Sequence, residues 1–558
     1  MNGGVSLKKR NLFSILFALT LILGMLAACS NGKSQNTNTS ENSNKEEKNE
    51  EHANKEPRQG GSLILGTTAA PSLFNPYYST DTSSRAIENF IFSGLVTINR
   101  EFKPEGDVAE SWEVSDDGLK WTFKIRQGMK FHDGHDLTAD DVIFSYSLPL
   151  HKDYKGPSGL PFQVIKEINK VDDYTVEFVL TEPYAPFITI TATMGVLPKH
   201  ILGDVPVEEL GKNEFNTKKP IGSGPFKFAV WKEGQYVKVE AFDDYYAGRP
   251  YLDSIIYKIV PDANAIIAQL QAGDITYTSI SPTNVSIAKK MADEGKLVLK
   301  SGVSNAWEYI GYNLRNPLFQ DIKVRQALTH AIDRESIVQS VLDGAGEVAH
   351  GPGSPANWAF TEDVPKFDYD PKKASQMLEE AGWKKGSDGI LEKDGKKFSF
   401  TLTTTSANDI RQQIATVAQQ QLAEVGIEVK IELLEWSAYI EETTPPKWNF
   451  DAIVAGWSIG SDPDPTYFWH SKEIEQGLNY GAFSNPKVDE LLEKNTQVSD
   501  IDERKAVISE AEKIVTEEQP YTFLYYPMSY LGHSPKLHGP EFSVANSYYD
   551  IHKWWMEE

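Results

Sequence analysis

The chain has 558 residues, with 79 Asp and Glu against 55 Lys and Arg, a formal net charge of −24 and one cysteine. That acidic balance excludes nucleic acid as a partner, because a phosphate backbone needs a basic surface, and a lone cysteine excludes any disulfide within the chain. Apolar residues make up 40% and aromatic residues 11%, enough for well-packed cores, and the length calls for two or three domains rather than one.

Lys8, Lys9 and Arg10 precede an apolar run from Leu12 to Ala28. A basic start, a short apolar core and small residues at its end read as a secretory signal peptide over residues 1–28. The run is too short and wrongly flanked for a spanning helix, which needs about 20 apolar residues. Its end, Leu26-Ala27-Ala28-Cys29, resembles the bacterial lipobox. That resemblance implies cleavage before Cys29, lipidation of its thiol and anchoring on the outer face of a cytoplasmic membrane; the alternative is an ordinary signal with an incidental cysteine. Residues 29–58 are nearly all Ser, Asn, Lys, Glu, Gln and Thr, with no aromatic residue. They cannot bury enough apolar surface to fold and are expected to be a disordered tether.

Folded sequence begins near Gly60. Residues 85 to 100 read as a helical stretch, capped by Ser84 or Ser83 and stopped by Gly94. Residues 109–114 and 121–126 flank Asp116-Asp117-Gly118, a hairpin signal. Residues 131–136 hold two histidines and two aspartates, but Asp133-Gly134 at their centre is turn chemistry. No further His or Cys cluster joins them, so a turn is preferred over a metal site. Thr138 caps a helix beginning at residue 139. Residues 174–180 alternate as a half-buried strand. Residues 221–225 are Gly-rich yet lack the Lys-Ser/Thr ending of a phosphate loop, and they run into a strand at 226–228, so they read as a tight turn.

Residues 321–342 are helical in two parts: Val324, Leu328, Ala331 and Ile332 share one face, and Asp333 caps the second part. Asp370-Pro371 opens a helix that Gly382 stops. A glutamine-rich helix over 410–424 ends at Gly426, and Ile427, Val429, Ile431 and Leu433 alternate as a strand. An apolar strand follows at 450–455, then a helix over 502–517 ended by Pro520, then a strand at 523–526. This succession reads as α/β with some parallel pairing. There is no Gly-x-Ser-x-Gly elbow and no free thiol. Carboxylates are plentiful, but nothing singles out a catalytic pair, so no enzyme is expected.

Four segments, in order, carry a family resemblance: AESWEVSDDGLKWTFKIRQGMKFHDGHDLTADDVIFSY at 109–146, KPIGSGPFKF at 219–228, VRQALTHAIDRESIV at 324–338 and FDAIVAGWSIGSDPDPTYF at 450–468. From about residue 60 onward the chain resembles family 5 extracellular solute-binding proteins, the peptide and nickel binders of ABC importers. The resemblance implies a two-lobed, periplasmic-binding-protein-like α/β fold of type II (cluster C), with three domains and hinge closure. Domain I would comprise 59–103, 218–311 and 519–558, domain II 104–217, and domain III 312–518. The implied protein is a monomer without cofactor or bound metal. It captures oligopeptides between its lobes and passes them to membrane permease subunits, while separate ATPase subunits hydrolyse ATP. A dipeptide, a nickel chelate or an oligosaccharide as ligand are alternatives within the family, and an exported hydrolase is the alternative outside it.

Gly456-Trp457-Ser458 leaves an apolar strand for a Pro/Asp-rich turn, and ligands of α/β sheets sit beyond strand carboxyl ends. In peptide-binding members this segment pairs its backbone with an extended peptide and the tryptophan lines a side-chain pocket; the alternative for Trp457 is a core residue. Members place an aspartate three residues after the tryptophan to hold the peptide amino terminus. Here that position is Gly460, which leaves Asp462, preferred, or Asp464, either of which also reads as a turn cap beside its proline. Thr278, Ser279 and Tyr309 match backbone-contacting positions, and are equally readable as packing. Arg411 falls near where members keep a basic residue for the peptide carboxylate, which a guanidinium can hold bidentately, or it is an exposed helix arginine.

Overall fold

The computed structural model describes residues 56–475 and 477–557. The leader 1–28, Cys29 and the tether as far as residue 55 lie outside the described residues.

A twelve-stranded sheet with two flanks organises the fold. On one flank Ser62–Thr67 pairs in parallel with Ser254–Ile259, which continues antiparallel through Tyr236–Ala241 to Phe226–Lys232. On the other, Ser399–Thr405 pairs in parallel with Glu428–Leu434, and Ala452–Ser458 runs antiparallel to Ala306–Tyr312. One long strand, Tyr521–His533, joins them. Its first residues pair with Ala306–Tyr312, its last with Val298–Val303 and Tyr277–Ser279. The chain therefore crosses between the flanks twice, at 303–306 and at 525–528. Only residues 523–526 of that joining strand are expected from sequence. The first six residues are buried on both faces, and burial then falls through Pro527, Met528 and Ser529 before returning. The pattern thus breaks at the crossing although the strand does not.

A second sheet of four antiparallel strands, Ala109–Val114, Lys120–Ile125, Thr175–Leu180 and Ile165–Asp172, lies outside this path. The expected hairpin is there, with Gly118 at φ +67° supplying the left-handed turn. Val176, Phe178 and Leu180 alternate inward, and Phe178 meets Phe123 edge-on at 5.7 Å.

Side-chain caps set most helix starts. Thr138 and Asp141 form a capping box at Ala139–Ser147. Asp321, Asp333 and Asp370 cap Ile322–His330, Arg334–Ser340 and Pro371–Glu380, each accepting a backbone N–H. One expectation is corrected. The first helix runs Thr82–Ile91, and its cap is Asp81, whose Oδ1 accepts the Ser84 N–H at 2.7 Å. Ser84 is buried inside the first turn, its hydroxyl donating to Asp81 and accepting the Ser72 N–H. The helix stops at Ile91, before Gly94. The Gly-rich turn packs against that end: Gly224 N–H donates to the Ile91 carbonyl at 2.8 Å, and a Cβ on Gly222 would stand 2.0 Å from the same oxygen.

Candidate functional site

The two flanks end together at a trough made of three adjoining cavities. The first, about 380 Å³, is lined by Ser304, Asn305 and Ala306 of one crossing, by Ser458 and Ile459 at a strand end, and by residues 529–531. It shares Tyr277 and Ser279 with a second cavity of about 460 Å³ that reaches residues 66–69. The third, about 590 Å³, shares Thr82, Ala86 and Tyr548 with the second and extends to Asp107, Tyr245, Thr193 and Ser461. Each alone has the size of a small-molecule site. Joined, they offer room for an extended chain.

Of the residues expected at a binding site, Ser279 and Ser458 are exposed and line the trough. Thr278 lines the second cavity, but it is buried and its hydroxyl donates to the Gly66 carbonyl at 2.9 Å. Gly456 and Trp457 immediately precede Ser458. Their strand is paired along its whole length by Ala306–Tyr312, whereas on its other side only Ala452 and Ile453 enter a ladder, with Leu402 and Thr403. Gly456 through Ser458 therefore keep one edge outside any ladder. The Trp457 ring packs against Phe468 at 5.1 Å and Tyr480 at 5.4 Å and lines none of the three cavities.

Three others are engaged elsewhere. Tyr309 is fully buried and stacked on Tyr521 at 4.3 Å. Arg411 forks onto Glu308 at 2.9 and 2.8 Å. Burial works against its charge, but the hydrogen bonds and charge of Glu308 outweigh that and raise its pKa. That ion pair covers Gly456, where a Cβ would lie 2.1 Å from Glu308 Oε1. Asp462 takes both Nη atoms of Arg504, at 2.9 and 2.7 Å, the Thr189 hydroxyl at 2.7 Å and the Asp464 N–H at 3.0 Å. Asp464 accepts from the Thr466 N–H and hydroxyl and from the Asn495 amide; burial and the neighbouring Asp462 push it up to about 6. Neither aspartate presents an unengaged carboxylate to the trough in this structure.

Sequence reasoning missed several trough residues. Asn305 holds the loop after Ser458, its amide donating to the carbonyls of Ile459 and Gly460 at 3.0 and 3.1 Å, and its Oδ1 is buried without a partner. Glu88 lines the third cavity from the inner face of its helix, beside buried Ser84 and Ile91. A charge on an apolar helix face was the available signal. Asp107 and Ser461 carried none.

Residues 131–136 form the expected turn, with Gly134 at φ +90°. The fold also brings His200 to it, which the sequence did not suggest: His200 Nε2 lies 2.7 Å from Asp133 Oδ2 and its ring stacks on His135 at 3.9 Å and 10°. The ligand atoms of Asp133, His135 and His200 lie within 4.8 Å of one another.

Comparison with known proteins places this geometry in a family. A family model described as "Bacterial extracellular solute-binding proteins, family 5 Middle" matches residues 103–476. The chain is 47% identical over 558 residues to the oligopeptide-binding protein AppA of Bacillus subtilis (strain 168), covering 99% of this chain and 100% of that protein. The solved structure of AppA from Bacillus subtilis in complex with a nonapeptide matches with a TM-score of 0.73 at 48% identity, over 90% of this chain and 100% of that one. NikZ from Campylobacter jejuni in complex with Ni(L-His) matches with a TM-score of 0.73 at 29% identity, over 88% and 99%. Among the described residues no helix is long and apolar enough to cross a membrane. The chain belongs to the family 5 bacterial extracellular solute-binding proteins, which are binding components of transport and not enzymes.

Proposed function

We propose that this protein captures oligopeptides in the trough between its two lobes and delivers them to the membrane subunits of an ABC importer, whose separate ATPase subunits supply the energy. One observation carries the reading: the strand Ala452–Ser458 enters a trough of three joined cavities with one edge of Gly456–Trp457–Ser458 unpaired. An extended peptide can complete that ladder. Main-chain hydrogen bonds then give affinity without reading side chains, and Ser279 and Thr278 form the facing wall. Arg411 with Glu308, and Tyr309 with Tyr521, hold this strand in place from behind. The B. subtilis relative's nonapeptide complex supports a peptide of several residues as ligand.

The division into domain I (59–103, 218–311, 519–558), domain II (104–217) and domain III (312–518) belongs to the same proposal. The lobes rotate about the paired crossings and close over the ligand. Lipid on Cys29 and the tether through residue 58 keep the body near the outer face of the membrane, within reach of the permease.

Calorimetric titration with a dipeptide, a pentapeptide, a nonapeptide and a nickel–histidine chelate tests the ligand class. The nonapeptide is expected to bind about 100-fold more tightly than the dipeptide or the chelate. Tighter binding of either of those two would overturn the oligopeptide reading.

A further inference from the structure

The third cavity is acidic and aromatic. Glu88, Glu105, Asp107 and Asp550 line it, with Arg85 its single Lys or Arg, and Tyr245 and Tyr246 form part of the wall. Two of the four acids are already engaged. Glu105 accepts the Asn99 amide at 2.8 Å and the Tyr549 hydroxyl at 2.5 Å, and Asp550 pairs with Lys553 at 3.1 Å.

Glu88 and Asp107 differ. Glu88 is 4% exposed; Oε2 accepts the Ser79 hydroxyl at 2.9 Å, and Oε1 is buried with no partner. Asp107 is 9% exposed, and its Oδ1 is likewise buried without a partner. The nearby guanidinium of Arg126 donates through Nε to the Asp107 backbone carbonyl at 2.8 Å, not to the carboxylate, and rests 5.0 Å from the Tyr246 ring centre. The imidazole of His552, also in the lining, is held below its usual pKa by burial. Burial pushes Glu88 up to about 7, against the pull of Ser79 and Arg85. It pushes Asp107 up to about 6, against the Tyr246 and Ser93 hydroxyls and Arg126. A buried carboxylate without a counter-ion is costly, and two such groups around one ligand-sized cavity are a place where an incoming cation gains most.

We propose that this cavity is a subsite for a primary ammonium group of the ligand, received by Asp107 and Glu88. The inference rests on the peptide-capture reading, and it gives the cationic end a place that Asp462, turned onto Arg504, does not provide. Ser461 reaches this cavity from the loop that follows Gly460. In a peptide the ammonium is either the amino terminus or a lysine side chain.

The test is calorimetry on wild type, Asp107→Asn and Glu88→Gln with four peptides of one neutral core sequence. These are the free-amino form, the N-acetylated form, the N-acetylated form carrying one lysine, and the same with norleucine for lysine. Wild type is expected to bind at least one cationic form about 10-fold more tightly than its neutral counterpart. Each variant is expected to lose most of that preference, read as the ratio of its own affinities for the charged and neutral forms. Whether the free-amino or the lysine form is preferred identifies the source of the ammonium. Equal binding of charged and neutral peptides by wild type overturns the subsite and leaves peptide capture standing; no binding of any peptide removes both. Asp107→Asn is also expected to raise the melting temperature of ligand-free protein, since a buried unpaired charge is gone. A lowered melting temperature with selectivity intact marks a structural aspartate and overturns the proposal. Should Asp107→Asn fail to fold, Glu88→Gln reads the same preference.

Discussion

Asp462 and Arg504 meet 2.7 Å apart, with their side chains 1% and 4% exposed. A buried pair of this kind contributes little over an apolar substitute, but removing one partner strands the other. Asp462→Asn is therefore expected to lower folding stability by about 3–5 kcal/mol, seen as a reduced denaturant midpoint. Thr189→Val removes only the hydroxyl that reaches this carboxylate and is expected to cost about 1 kcal/mol. If Asp462→Asn keeps wild-type stability and loses peptide affinity, the carboxylate serves the ligand rather than the fold. At this scale the sequence was informative where the partner is local. Thr138, Asp333 and Asp370 cap within three residues, and each was legible. Arg411 and Asp462 were legible as charges but not as pairs, because Glu308 lies 103 residues and Arg504 42 residues away. In this structure both charges are paired within the fold.

Elements were legible where one face is buried. The alternation in Thr175–Leu180 marked a strand, and so did the apolar positions of Glu428–Leu434, although in the structure only Val429 of that strand is fully buried. The pairing of Ser62–Thr67 with Ser254–Ile259 was not legible, since nothing local links strands about 190 residues apart in sequence (Ser62 and Ser254 touch side chain to side chain at 2.8 Å). The Gly-rich composition of 221–225 marks a turn, but the reason for its glycines is tertiary. Gly222 sits where a Cβ would stand 2.0 Å from the Ile91 carbonyl at the end of Thr82–Ile91. Backbone cannot yield as a side chain tip can, so Gly222→Ala is expected to destabilise by about 1–3 kcal/mol. Because Thr82–Ile91 also carries Arg85 and Glu88 into the third cavity, the same substitution should weaken ligand binding. An unchanged melting curve would show that the contact is relieved cheaply.

For the whole molecule, one strand belongs to both flanks of the sheet, and the chain crosses between them at two neighbouring places. Burial falls at 527–529 on one crossing and is mixed at 303–306 on the other. The trough opens at these crossings, so the proposed closure of the lobes would tie ligand contact to movement there. The family motifs announced this architecture from sequence. The cavities did not announce themselves, because their linings come from five or more separate stretches of chain. The central claim is that an intact peptide is held in this trough, and the most direct measurement is of what the protein retains. Purified protein is incubated with a mixed peptide pool, freed of unbound material, denatured, and its released ligand identified by mass spectrometry. The account predicts uncleaved oligopeptides at close to one per chain. Recovery of peptide fragments, of a metal chelate, or of no peptide at all would contradict it.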